Sequence, residues 1–212
     1  TDLEDVRVDR CLIETKGKVE LHTFFDASSV AYGAVVFLRN VESKRVTLVA
    51  SKAKVAPVQS VCIPRLELMA ACVGLKLAKE VVKALQLEFD IVTFWGDSLN
   101  VLCWIRQQSR KFKPFVANRL GTIQKHSKGK QWRYVPTKIN PADLVSRGMI
   151  AKDCARNQTW WSGPEFLRKE ESNWPKVPHQ IHDDIYKDNE WRGKATLLTV
   201  ETEFPNLESS NS

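Results

Sequence analysis

The sequence predicts a mixed α/β fold. A five-stranded sheet, three strands antiparallel and two added in parallel, carries helices on its faces and an irregular Trp- and Pro-rich C-terminal tail behind it. Three observations carry this reading. Three strand-like runs follow one another between residues 19 and 52 with short connections, as in a meander. The apolar period then lengthens to three and four over residues 65–85, and single strands alternate with helices afterwards. The length of 212 residues, with 43% hydrophobic and 27% charged side chains, suffices for one core and an appendage and excludes a wholly disordered chain.

The elements follow in order. Residues 19–26, Val-Glu-Leu-His-Thr-Phe-Phe-Asp, alternate and then turn apolar, a strand ending at Asp26. Residues 32–39 form a second, mostly buried strand, Asn40 to Arg45 a hairpin turn, and residues 46–52 a third strand. Pro64 opens a helix, where its missing N–H costs nothing. Leu66, Met69, Ala70, Val73, Leu77, Val81 and Leu85 make that helix's buried face, with Glu67 in its first turn. Ile91 to Trp95 is a β-branched and aromatic strand stopped at Gly96-Asp97. Ser98 caps a helix from Leu99 to Gln107, and another runs from about Pro114 to His126. Trp132 to Val135 is the fifth strand. Asn140 and Pro141 start a last short helix holding Asp143, and Gly148 ends it.

Residues 1–18 read as a lead-in, 19–150 as the folded domain and 151–212 as a connector, partly disordered after about residue 190. Four of the seven tryptophans (Trp160, Trp161, Trp174, Trp191) lie in this tail, which reads as lying on a surface through aromatic anchors and not as a second core. No run is long and apolar enough to span a membrane, and the N-terminus lacks a secretory pattern and an initiator Met, as expected of a piece of a longer product. Five scattered cysteines without a C-x-x-C pair point to reduced thiols in a cytosolic or nuclear setting.

Charge is unevenly placed. Residues 1–150 hold 24 Lys and Arg against 14 Asp and Glu, whereas residues 151–212 hold 8 against 11. Between Asp97 and Asp143 stand ten cations and no acid. Signs usually mix on a solvated surface, so this window reads as a phosphate-binding face.

Against this basic background stand Asp26 and Asp97 at strand ends and Glu67 and Asp143 at helix starts. Singly, each has a bland reading as a cap or a dipole-favoured charge. Together they can converge, and like charges gathered in one place call for a cation. Hard oxygen donors without His or Cys suit Mg²⁺ or Mn²⁺, and such a cluster beside a basic face suits two-metal phosphodiester chemistry.

At these residues the sequence resembles the ribonuclease H domain of Bel/Pao-type long-terminal-repeat retrotransposons. The carrying blocks are Phe25-Asp26-Ala27-Ser28 with Ala31-Tyr32-Gly33-Ala34; Ile63-Pro64-Arg65-Leu66-Glu67-Leu68; Trp95-Gly96-Asp97-Ser98; and Val135-Pro136 with Asn140-Pro141-Ala142-Asp143 and Ser146-Arg147-Gly148. The stretch Trp160-Trp161-Ser162-Gly163-Pro164-Glu165-Phe166-Leu167 resembles the segment that follows this domain in Bel/Pao polyproteins, ahead of the integrase. The resemblance implies a ribonuclease H-like fold and hydrolysis of the RNA strand of an RNA–DNA hybrid with two Mg²⁺ ions (or Mn²⁺). It implies Asp26 bridging both ions, Glu67 and Asp97 on one, and Asp143 on the other. Reverse transcriptase and integrase segments of the same polyprotein are the implied partners. Candidate contacts to 2′-hydroxyls are the backbone near Ser28 and Ser29 and the side chains of Ser98 and Asn100. Arg110, Lys111, Lys113 and Lys138 are candidates for phosphates.

Two departures stand out. The loop before the last helix, Pro136-Thr137-Lys138-Ile139, lacks the His that many relatives carry there, and His126 reads as a surface residue. Only the short loop from Gln108 to Lys113 stands where cellular relatives insert a basic helix. Trp104 reads as core, while Trp132 divides evenly between core and base stacking. Cys62 and Cys72 read as buried small residues. His179 and His182 with Asp183 and Asp184 read as a polar linker before a metal site. Alternatives to the nuclease are a host-retained binding module that does not cut and a structural connector between reverse transcriptase and integrase.

Overall fold

A computed structural model describes residues 17–59, 61–178 and 189–192. The sheet comprises β1 (Val19–Ala27), β2 (Ala31–Asn40), β3 (Val46–Val55), β4 (Ile91–Gly96) and β5 (Trp132–Tyr134). Its order is β3-β2-β1-β4-β5. The first three strands pair antiparallel, and β4 and β5 add in parallel. This is the mixed five-stranded sheet expected, three strands antiparallel and two added in parallel.

One face packs on α1 (Ile63–Leu85), α2 (Leu99–Arg106) and α3 (Pro114–His126). Alternate strand residues Leu21, Phe25, Ala34, Val36 and Phe94 meet Leu66, Ala70, Leu77, Trp104, Leu120 and Trp132 there. Trp132 is fully buried, stacks on Phe94 at 4.4 Å and donates from its indole N–H to Ser127 Oγ, so the base-stacking reading gives way to the core. Cys62 is exposed rather than buried, because it is the residue just ahead of α1. Glu67 lies in the second turn of α1, since Ile63 and not Pro64 is its first residue. His126 is exposed, as expected.

The opposite face corrects the reading of the tail. Phe24, Val35, Phe37, Trp95 and Val135 form a second core with Phe166, Leu167 and Trp174. Phe166 and Leu167 come from a turn of 3-10 helix, Glu165–Arg168, and Trp174 directly follows a second one, Glu171–Asn173; both come after α5 (Ala151–Arg156) and α6 (Gln158–Ser162). By its alternation, β1 would set Glu20 and His22 on a polar face. That face is covered instead, and the two residues are 6% and 0% exposed.

Arg39 satisfies them and fastens the tail. Its guanidinium donates to Glu20 Oε2 at 2.6 Å, Leu167 O at 2.5 Å and Lys169 O at 3.3 Å, and it lies over the Trp174 ring. The Trp95 indole N–H donates to His22 Nδ1 at 3.1 Å, which leaves the imidazole proton on Nε2, 3.1 Å from Glu20 Oε2. Burial alone would raise the Glu20 carboxyl; the bonds from His22 and Arg39 outweigh it and hold Glu20 below its ordinary value. Burial likewise holds His22 below its ordinary value, so this buried charge is paired and the ring stays neutral.

Among the described residues no helix is long and apolar enough to cross a membrane. The pair His182 and Asp183, with His179 and Asp184, lies outside the described residues, as do most of the lead-in and the chain from residue 193 on.

Candidate active site

The site forms where β1 and β4 end side by side. Their parallel register pairs Phe24 with Trp95. Two residues further along each strand stand Asp26, 5% exposed, and Asp97, half-buried. Side chains two apart share a face, so both carboxylates emerge at one end of one sheet.

Two glycines permit the close packing. A Cβ on Gly96 would stand 2.2 Å from Cζ of Phe25. Gly33, directly opposite Asp26 across β1 and β2, lets the last helix of the site approach, because a Cβ there would meet Lys52 O at 2.3 Å and Val145 Cγ1 at 2.6 Å.

That helix, α4 (Asp143–Arg147), is placed by Asn140. The Asn140 side-chain amide donates to Phe25 O at 3.2 Å, and its Oδ1 accepts from the Ala142 N–H at 3.1 Å. One side chain thus ties the start of α4 to β1 beside Asp26. Asp143 is the first helical residue, and its Oδ1 accepts from Arg147 Nε at 2.6 Å, one turn on.

Ser146 explains why the motif carries a hydroxyl. It donates to Asp26 Oδ2, and its carbonyl accepts from Ser28 Oγ at 2.7 Å. In the sequence, Ser146 and Arg147 stand out only as members of the last motif block, with no role for either. Their spacing from Asp143, three and four residues, is the available signal.

The four acids feel one another. Burial pushes the Asp26 carboxyl up to about 6, with the Asp97 and Asp143 charges adding to the rise and the Ser146 hydroxyl opposing it. Glu67 is pushed up to about 7, again by burial first, with Asp97 and Asp26 adding and a hydrogen bond from Ser98 opposing. The pattern is that of carboxylates assembled without enough positive charge.

The other candidates divide. Ser98 caps α2 by accepting from the Val101 N–H and also reaches Glu67. Asn100 is half-buried in the first turn of α2. The Ser28 hydroxyl donates to Ser146 O and accepts from the Val30 and Ala31 N–H groups, and its own N–H donates to Ala31 O, whereas Ser29 is exposed. Arg110, Lys111 and Lys113 stand exposed on the loop before α3, where Arg110 Nε donates to Gln108 Oε1 and Lys111 Nζ to Gln107 Oε1. Lys138 is exposed in the turn Thr137–Ile139 that leads to Asn140.

Whether these residues suit a metal can be judged from donor type and charge. Among the described residues, no three Asp, Glu, His or Cys side chains are grouped to enclose an ion as they stand. The Asp26 oxygen is engaged by Ser146 and the Asp143 oxygen by Arg147. The donors are nevertheless all hard oxygens, and the raised carboxyls mark a place where a divalent cation is electrostatically favoured, so the residues fit such an ion.

Residues 1–98 match the family model described as the Pao retrotransposon-like RNaseH-like domain. Among solved structures, ribonuclease H1 of the halophilic archaeon Halobacterium salinarum covers 60% of this chain and 95% of its own at 18% identity and a TM-score of 0.43. LC11 ribonuclease H1 in complex with an RNA/DNA hybrid covers 64% and 98% at 14% identity and a TM-score of 0.45. The N-terminal RNase H domain of a Mycobacterium tuberculosis protein covers 66% and 97% at 15% identity and a TM-score of 0.41. No curated protein sequence matches the chain. The family match takes in β1 to β4 and the first three acids and stops short of α4. Over residues 1–98, therefore, the chain is similar to the Pao retrotransposon-like RNaseH-like domain.

Proposed function

We propose that the chain is an endoribonuclease that hydrolyses the RNA strand of an RNA–DNA hybrid during retroelement reverse transcription, working at Asp26, Glu67, Asp97 and Asp143. The observation that carries this is the buried Asp26 carboxyl and the half-buried Glu67 carboxyl, pushed up to about 6 and about 7, beside two further acids at one end of the sheet. A structural cluster of like charges would cost stability without return; a site awaiting cations explains it.

Two Mg²⁺ ions, or Mn²⁺, would supply charge to the scissile phosphate and lower the pKa of the attacking water. Asp26, Glu67, Asp97 and Asp143 would hold them. The chain's own part is positional. Ser146 holds Asp26 in place, Asn140 sets α4 against β1, and Ser98 orients Glu67. Arg147 balances the Asp143 charge whenever no cation is bound. Arg110, Lys111, Lys113 and Lys138 would neutralise hybrid phosphates. Ser29 and Asn100 are candidates for 2′-hydroxyl contacts, the feature that separates RNA from DNA. The products would be a 5′-phosphate and a 3′-hydroxyl. Reverse transcriptase and integrase segments of one polyprotein are the proposed partners.

A second reading, a hybrid-binding module that does not cut, is favoured by the Arg147–Asp143 pair, which leaves Asp143 committed to a cation of the chain itself. A cleavage assay separates the two. Labelled RNA–DNA hybrid, RNA duplex, DNA duplex and single-stranded RNA are each incubated with Mg²⁺ or Mn²⁺. Cutting of the hybrid's RNA strand alone, abolished by Asp97→Asn with binding retained, is the expected result. Binding without cutting in either metal would replace the first reading by the second.

A further inference from the structure

The segment at residues 189–192 meets the body of the protein among cations. Its backbone bridges the loop before α3: the Lys113 N–H donates to Glu190 O and the Arg192 N–H to Lys111 O, both at 2.7 Å. The Trp191 ring lies 4.6 Å from that of Phe112. The Glu190 carboxylate takes the guanidinium of Arg65 in a two-point grip, Oε1 at 2.7 Å from Nε and Oε2 at 3.1 Å from Nη2.

Arg65 is itself set in place. Its guanidinium lies over the Phe115 ring at 4.7 Å, and that of Arg119 lies over the same ring at 3.5 Å. Stacking fixes the plane of the Arg65 fork and turns its donor edge to the carboxylate. A fork that accepts two carboxylate oxygens accepts two phosphate oxygens equally well. The neighbours Lys111, Lys113 and Arg119 belong to the window without an acid, so the negative charge here is imported from the acidic C-terminal part of the chain. Arg65 also sits two residues before Glu67, on the end of α1 that faces the acid cluster.

We infer that Arg65, stacked on Phe115 beside Arg119, is a binding site for a backbone phosphate of a nucleic acid, and that Glu190 occupies this site as an internal competitor. The inference rests on the proposed nucleic-acid function. Displacing Glu190 frees the Arg65 fork and breaks the bridge to Lys111 and Lys113, so entry of a phosphate exposes several cations at once. The C-terminal segment then sets a threshold that a polyanion overcomes and a single small anion does not.

The test measures binding of a fluorescent RNA–DNA hybrid by anisotropy, without divalent metal and over a salt series. The full chain is compared with Glu190→Gln, Trp191→Ala, Arg65→Gln and the double variant Arg65→Gln/Glu190→Gln, with thermal unfolding recorded for each. Glu190→Gln removes the competing charge and Trp191→Ala loosens the segment without touching either ionic partner. Both should tighten binding about three- to tenfold at low salt, and the double variant should lose that gain with a log–log salt slope shallower by about 0.9 than that of Glu190→Gln. Unchanged or weaker binding by both folded single variants overturns the inference, as does a double variant that binds like Glu190→Gln. Cutting is read separately. Tighter binding by Glu190→Gln with no cutting by any form overturns the nuclease and leaves the phosphate site standing; cutting by the parent with binding unmoved by Glu190→Gln overturns the phosphate site alone.

Discussion

Ser146 donates its hydroxyl hydrogen to Oδ2 of Asp26, joining the last helix of the site to the first strand across 120 residues of sequence. The bond opposes what burial does to this carboxyl. Ser146→Ala should therefore raise the Asp26 pKa beyond about 6 and move the acidic limb of the cleavage pH profile upward. The lost bond should also lower stability by about 1 kcal/mol. A profile superimposable on the parent's would show that Ser146 does not set the Asp26 charge.

The raised Glu67 carboxyl predicts an opposite effect of pH on stability from that of a paired acid. Between its ordinary 4.5 and about 7, the folded protein holds a proton that the unfolded chain has released. The metal-free fold therefore loses stability as pH rises through that window, by up to ~1.4 kcal/mol for each pH unit crossed. Glu67→Gln should match the parent near pH 4.5 and exceed it at about pH 8 in urea unfolding. Millimolar Mn²⁺ should shrink the difference by stabilising the parent. An advantage for Glu67→Gln that is equal at both pH values would mean that Glu67 is not desolvated.

Gly33 and Gly121 should respond to alanine with opposite signs. At Gly33 the new methyl meets the Lys52 carbonyl and Val145 of α4, so the helix that carries Asp143 must shift. A loss of about 1–3 kcal/mol and a fall in cutting are expected. At Gly121, inside α3, nothing lies within 4 Å of the new Cβ. That change should stabilise by about 0.5–1 kcal/mol with cutting intact, as checked by thermal unfolding of both variants.

A chain ending at residue 150 should fold poorly, and one ending at residue 178 should fold. The shorter form strips Phe166, Leu167 and Trp174 from the second core, each worth roughly 1.5–3 kcal/mol of burial. It also removes the two carbonyls that receive Arg39. Dye binding to exposed apolar surface, strong in the first and absent in the second, is the expected contrast. Equal stability of the two forms would reduce the tail to a tether.

The sheet and its helices were legible in the sequence because both carry periods. The first three strands are alternating or apolar runs set off by turns, and α1 keeps Leu66, Ala70, Val73 and Leu77 on one face. The four acids were legible because each ends a strand or begins a helix within a compact motif. The tail was not, because single 3-10 turns carry no usable period and prolines and exposed charges surround Phe166 and Trp174. The cover over Glu20 and His22 was not legible for a related reason: alternation tells which residues share a face but not what covers it. Ser146 with Asp26, and Arg65 with Glu190, lie 120 and 125 residues apart, beyond any local pattern.

The second core also has a consequence for the order in which the molecule is made. Asp143 leaves the ribosome before Trp174, so all four acids exist in the nascent chain while Phe24 and Trp95 still lack their cover. At ~5–20 residues per second the interval is a few seconds. During it the newborn protein shows an aromatic face that a chaperone, or a neighbouring nascent chain, can reach first. Slowing synthesis just before residue 174 lengthens that exposure, and completing Trp174 ends it.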